Sequence, residues 1–193
     1  SWSAQWADLE GRKGDDRAMG GPKKLDRQRK GGRLDARARV ERLLDRDSFQ
    51  ELGTLVGGIR ESAGGATPAD ALVAGMGRID GRPVLVGAED FTVMGGSIGL
   101  AAADKRFRLT QLAAQELVPL VFLLEGAGHR MTNALKGHGR TPNDLQGLVD
   151  LSGRVPTVCV VLGPSAGHGA LAAPLMDFAI MEDSASLFTA GPP

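Results

Sequence analysis

Two spacings alternate along the chain: apolar residues every three or four positions, and short unbroken apolar runs. Trp2, Trp6 and Leu9 share one face and predict a helix over residues 1–18. Residues 19–33, rich in Gly, Pro, Lys and Arg, read as a connector. Leu34, Ala38, Val40, Leu43 and Leu44 then stripe a second helix over Leu34–Leu44, with Arg, Asp and Glu filling its opposite face, and Asp45–Ser48 breaks it. Phe49–Leu52 reads as a short strand and Gly57–Pro68 as a loop. Two apolar runs, Ala71–Ile79 and Val84–Ala88, meet through Asp80-Gly81, a hairpin turn signal.

Phe91–Gly99 is a glycine turn after a strand. Ile98–Leu117 is the longest predicted helix; Ile98, Ala101, Ala102, Leu109, Leu112 and Ala113 form its apolar face, and Lys105, Arg106 and Arg108 lie elsewhere on its surface. Pro119–Leu124 predicts a buried strand and Gly126–Gly139 a loop of glycine and histidine. Thr141–Leu151 predicts a helix with Thr141 as N-cap, Pro142 at N1 and Asp144 in the first turn. Val155, Val158, Val160, Val161 and Leu162 predict a strand covered on both faces, ended by Gly163-Pro164. Ser165–Gly169 has almost no side-chain bulk except His168, a small-residue helix follows over Ala170–Leu175, and Phe178–Met181 is one more strand.

Strands alternating with long crossovers predict parallel pairing and an α/β architecture. Three glycine turns follow strands: Gly95-Gly96-Ser97, Gly126-Ala127-Gly128-His129-Arg130, and Gly163–Gly169. In a parallel sheet they emerge on one edge, where such sheets bind ligands. A glycine turn feeding a helix start presents backbone N–H groups to an anion, or to an oxygen that gains charge during a reaction.

Composition narrows the classes. The 193 residues suffice for a core, 42% are hydrophobic and 24% charged, and net charge is zero. The charge is uneven: residues 1–46 hold 13 Lys/Arg and 8 Asp/Glu. Those charges are interleaved, and no aromatic residue lies between Trp6 and Phe49 for base stacking, so a solvated amphipathic helix is favoured over nucleic-acid binding. Cys159 is alone, which excludes a disulfide within the chain and fits a buried thiol in a reducing compartment. No apolar run approaches the roughly 18 residues of a membrane span, and no signal peptide is visible, so the cytoplasm is the default location. The end at Ala190-Gly191-Pro192-Pro193, straight after Leu187-Phe188-Thr189, reads as a truncation of a longer protein.

Several chemistries are weakly supported. No turn carries the P-loop string or a G-x-G-x-x-G in a dinucleotide-binding context. Gly163-Pro164-Ser165-Ala166-Gly167 matches G-x-S-x-G, but a proline in second place is awkward for a strained nucleophile elbow. His129, His138 and His168 match no helical metal-ligand spacing, no carboxylate partner is evident, and no bound metal is expected. Glu89 and Asp90 are adjacent and would point to opposite faces of a strand, which argues against paired acid–base work.

The order of motifs resembles the carboxyltransferase (beta) subunit of biotin-dependent acyl-CoA carboxylases, in its N-terminal crotonase-like domain. The matching stretches are the helix Leu34–Asp45, the hairpin Gly75–Val86 with Ile79-Asp80-Gly81-Arg82-Pro83-Val84, the turn Asp90–Gly99, the glycine loop ending in Arg130, the Gly-Pro-small-Ala-Gly turn at Gly163–Gly167, and Asp177-Phe178. The resemblance implies a ClpP/crotonase-type β-β-α superhelix, the N-terminal half of a two-domain carboxyltransferase. It implies a helical arm at residues 1–48 and the domain proper at 49–193. It further implies transfer of a carboxyl group from biotin, carried by a partner biotin carboxylase/carrier subunit, to the α-carbon of an acyl-CoA, with assembly into a dimer or a hexamer. By position, the Gly167 and His168 backbone would form the thioester oxyanion hole. Gly126, Ala127, Gly128 and Arg130, with Gly95, Gly96 and Ser97, would line the substrate pocket.

The chain departs from that family's pattern in three places. Typical members have two glycines where this chain has Gly167 and His168. The usual Asp-Ser-Gly-Gly-Ala-Arg loop reads Glu125-Gly126-Ala127-Gly128-His129-Arg130, and Met131–Arg140 also differs. A paired-cysteine zinc ribbon is absent, which favours a propionyl-, methylcrotonyl- or longer acyl-CoA. The competing readings are another crotonase-type hydratase or hydrolase, and an assembly subunit whose pocket is filled by His129 and His168.

Overall fold

A computed structural model describes residues 1–56, 67–130 and 143–190. Three helices open the chain: α1 (Trp2–Arg17), α2 (Pro22–Lys30) and α3 (Ala36–Leu43). Then come β1 (Gln50–Leu52), β2 (Leu72–Ile79) and β3 (Arg82–Glu89), followed by α4 (Leu100–Glu116) and β4 (Leu120–Gly126). After these lie α5 (Asp144–Leu151), β5 (Thr157–Ala166), the single turn α6 (Gly167–Ala170), β6 (Phe178–Met181) and β7 (Ser186–Phe188).

One sheet of the described residues runs in the order β1-β2-β3-β4-β5-β6, with β7 also on β5. The first three strands are antiparallel, and β3, β4, β5 and β6 are parallel. The hairpin turns at Asp80 and Gly81, both at positive φ, as the Asp-Gly pair requires. Side chains alternate across the sheet. Leu120, Phe122 and Leu124 of β4 pack with Leu109, Ala113, Leu148 and Leu151 of α4 and α5. Val121 and Leu123 join Ala36 and Val40 of α3, and Leu44 just after it, on the other face.

Five expectations need correction. The connector at 19–33 contains a helix, α2, whose Pro22 stands at N1 and whose end is marked by Gly31. The polar face of α3 is not wholly solvated, since Arg39 is buried. The valine strand β5 is not covered on both faces: Thr157, Cys159 and Val161 are buried while Val158, Val160 and Leu162 are half-buried. Nor does Gly163-Pro164 end it. The strand runs on to Ala166, with Pro164 and Ser165 pairing with β7. Downstream, the expected helix at 170–175 is reduced to α6 and a 3₁₀ turn at Ala173–Leu175, because Pro174 interrupts it.

Thr141, Pro142 and His138 lie outside the described residues; α5 is capped by Asn143, whose side chain accepts from Gln146 N. Among the described residues no helix is long and apolar enough to cross a membrane.

Candidate active site

The three glycine turns come together at the ends of β3, β4 and β5. Ala127 N donates to Gly95 O at 3.0 Å, Ile98 N to Gly128 O at 2.7 Å and Arg130 N to Ile98 O at 2.9 Å, so the first two turns are zipped by backbone. A Cβ on Gly96 would sit 2.4 Å from the Glu125 carbonyl oxygen, and one on Gly128 would sit 2.8 Å from the Ala166 carbonyl oxygen. Both glycines also have positive φ, so a side chain there is excluded twice. The second turn thereby touches the third, and a Cβ on Gly167 would lie 3.6 Å from Gly128 Cα. As the first residues of a helix, Gly167 and His168 have backbone N–H groups with no intrahelical acceptor.

Arg130 braces this junction. Its guanidinium donates to Ser97 Oγ at 3.2 Å, Ser97 O at 2.9 Å and Asp70 Oδ1 at 2.7 Å. Asp70 Oδ2 in turn accepts from Ala102 N in the first turn of α4. Arg130 and Ser97 thus engage each other, and their polar atoms set the shape of the turn. Ala127 is exposed beside them.

Beneath the turns runs a line of charge that sequence reasoning missed. Arg106, on α4, has no exposed surface. Its Nε donates to Asp144 Oδ2 at 2.6 Å and its Nη1 to Glu89 Oε1 at 3.1 Å, and its plane lies 4.6 Å over the Phe122 ring. Asp144, the first residue of α5, meets His168 Nε2 through Oδ1 at 2.5 Å. The His129 ring stacks on His168 with centroids 4.1 Å apart. The two histidines therefore do not converge as metal ligands, and no group of three His, Cys, Asp or Glu side chains among the described residues could hold a metal. The carboxylate partner judged absent in the sequence is Asp144. One signal for the network was present: Glu89 closes a run of apolar residues, and a carboxylate there needs a cation.

Burial pushes the Glu89 carboxyl up, against the pull of Arg106. Burial also works to raise Asp144, but the His168 hydrogen bond and the Arg106 charge outweigh it and hold the carboxyl well below its ordinary range. His129 is lowered by burial and then by His168. Cys159 is buried and its thiol is pushed up to about 12 by desolvation, so it is an inert core residue. Ser165 is fully buried in β5, and its Oγ has no hydrogen-bond partner among the described residues. A nucleophile needs exposure and a base; Ser165 has neither.

A mixed sheet whose parallel strands end in close-packed glycine turns, layered by α4 and α5, is the crotonase-type fold of carboxyltransferase domains. The chain belongs to the Carboxyl transferase domain family, whose model matches residues 27–193. It is 35% identical to the methylmalonyl-CoA carboxyltransferase 12S subunit of Propionibacterium freudenreichii subsp. shermanii, over 91% of this chain and 34% of that protein. It is 36% identical to the propionyl-CoA carboxylase beta chain of Cereibacter sphaeroides, over 96% of this chain and 37% of that one. Among solved structures, a transcarboxylase 12S hexamer with methylmalonyl-CoA bound superposes at a TM-score of 0.85 with 33% identity, over 100% of this chain and 38% of that one. A geranyl-CoA carboxylase beta subunit from P. aeruginosa superposes at 0.80 with 30% identity, over 99% of this chain and 36% of that one. The chain thus spans about a third of the length of the curated relatives it matches.

Proposed function

We propose that this chain is the acyl-CoA-binding half of a carboxyltransferase that carboxylates the α-carbon of a propionyl-, methylcrotonyl- or longer acyl-CoA. In this reading residues 1–48 are an arm clamped on the domain at 49–193. The protein works in the cytoplasm, as a homo-oligomer up to a hexamer, with a biotinylated carrier subunit. The observation that carries the proposal is the meeting of the turns at Gly128 and Gly167.

Loss of the α-proton places negative charge on the thioester oxygen. The N–H groups of Gly167 and His168 are placed by the backbone before the reaction, and one such donor contributes about 3 kcal/mol to lowering the barrier. Gly126, Ala127 and Gly128 line the acyl side, while Gly95, Gly96, Ser97 and Arg130 hold the neighbouring turn in register. This pair of backbone amides fits a thioester oxygen; no residue of this chain is assigned to the biotin ring. When bound, biotin supplies the carboxyl group.

Calorimetry of the full-length protein against propionyl-CoA and longer acyl-CoAs tests the proposal. Saturable binding is expected, and failure of a folded protein to bind any of them overturns it. A His168→Pro variant, which lacks the amide, is expected to transfer carboxyl about 100-fold more slowly than His168→Gly, which keeps it.

A further inference from the structure

His168 brings an imidazole to the junction of the turns, and its contact with Asp144 fixes which ring nitrogen keeps a proton. Asp144 is 1% exposed and charged, with Oδ2 taken by Arg106, so its Oδ1 can only accept. The 2.5 Å contact therefore holds a proton on His168 Nε2, so any proton the ring takes up or gives away moves at Nδ1. Nδ1 has no hydrogen-bond partner among the described residues. The His168 side chain is 21% exposed, so a ligand can reach it. Each charged or titratable group packed against it comes from a different element: Asp144 from α5, Arg106 from α4, His129 from the loop after β4, and Glu89 of β3 behind Arg106.

We propose that the His168 imidazole is this protein's own base toward the α-carbon of the acyl-CoA, with Asp144 as its positioning residue, so that the thioester is enolised without biotin. The proposal rests on the acyl-CoA reading above. In the step, Nδ1 takes the α-proton. The C–H electron pair becomes the bond between the α-carbon and the carbonyl carbon, and the carbonyl π pair moves onto oxygen as the enolate. The imidazolium is met by the Asp144 carboxylate. In heavy water the imidazolium exchanges its proton with solvent, and a deuteron returns to the carbon while the carbonyl re-forms. No oxidant, reductant or second substrate is consumed.

The test follows deuterium uptake at the α-carbon of propionyl-CoA in heavy water, by mass spectrometry, with the full-length protein free of biotin and carrier. Calorimetry with the same ligand runs beside it. Uptake is expected in the parent protein. His168→Gly keeps the backbone amide and removes only the ring, so it is expected to bind propionyl-CoA within about threefold of the parent while uptake falls about 100-fold or more. Asp144→Asn is expected to keep binding of propionyl-CoA while lowering uptake about tenfold, a loss in rate without a loss in affinity that a merely structural role would not give. If that variant does not fold, the His168→Gly comparison alone decides. Binding without uptake, uptake undiminished in His168→Gly, or a gain of carboxyl transfer in His168→Gly each overturn the base assignment and leave the acyl-CoA reading standing. Absence of binding overturns both.

Discussion

At the scale of single residues, Arg106 is the side chain on which most depends. It is fully buried, and its charge is matched by Asp144 and Glu89 from two other elements. Its removal strands two carboxylates in the interior. Arg106→Leu should therefore cost about 3–5 kcal/mol, read as a lower urea midpoint at unchanged slope. Helix periodicity and charge put Arg106 and Lys105 on the surface of α4, whereas both are buried. The carboxylates that draw Arg106 inward lie 17 and 38 positions away, beyond any local pattern.

Lys105 offers a titration with a clear sign. Burial lowers its ammonium to about 8, and its Nζ donates to the Leu72 carbonyl. Above that pH the folded chain has released a proton that the unfolded chain still holds up to its ordinary value of 10.5. The unfolded state then binds more protons, so stability rises with pH across that window. Lys105→Met is expected to flatten the rise, as measured by thermal unfolding at a series of pH values.

At the scale of elements, the arm is fastened through Glu125. This residue sits at the end of β4 with no exposed surface. Its carboxylate accepts from Gln28 Nε2 at 2.8 Å and Arg33 Nη1 at 2.7 Å, and pairs with Arg39 Nη2 at 2.5 Å. Arg37 adds a second tie, reaching Asp16 at 2.5 Å and Glu51 at 2.7 Å. Glu125→Ala should loosen α2 and α3, so that trypsin cuts their lysines and arginines at least about tenfold faster while the sheet stays protected. Gly163→Ala acts in the same direction more weakly, because the new Cβ would stand 2.6 Å from Glu125 Oε1.

Much at this scale was legible: α3, the hairpin, α4, β4 and α5 follow from spacing and turn chemistry. The helix α2 was not, because its glycines and proline were read as a linker. They flank the helix as start and stop signals and do not interrupt it. The meeting of the three turns was foreseen from parallel strand order. The layer of charge beneath them was not, since it is assembled from α4, α5 and β3 by tertiary packing alone.

At the scale of the whole molecule, the sheet is finished on one side and open on the other. Its β2–β4 part is enclosed between the arm and α4, whereas β6 and β7 leave Phe178, Ile180, Met181, Leu187 and Phe188 exposed. Ile180 is 56% exposed and buries little surface. Ile180→Lys should change the stability of this 193-residue chain by no more than about 0.5 kcal/mol. The same change should lower hydrophobic dye binding, and should weaken assembly of the full-length protein, as sedimentation velocity would show.

Glu125 has a last consequence at this scale. Its carboxylate belongs to the arm, its amide N donates to Glu89 Oε2 at 2.9 Å, and its carbonyl lies against Gly96. From Glu89 the contacts continue through Arg106 and Asp144 to the His168 ring. The outer helices are therefore not fastened to the outer layer alone. One unbroken run of hydrogen bonds and ion pairs joins those helices to an imidazole on the far side of the sheet.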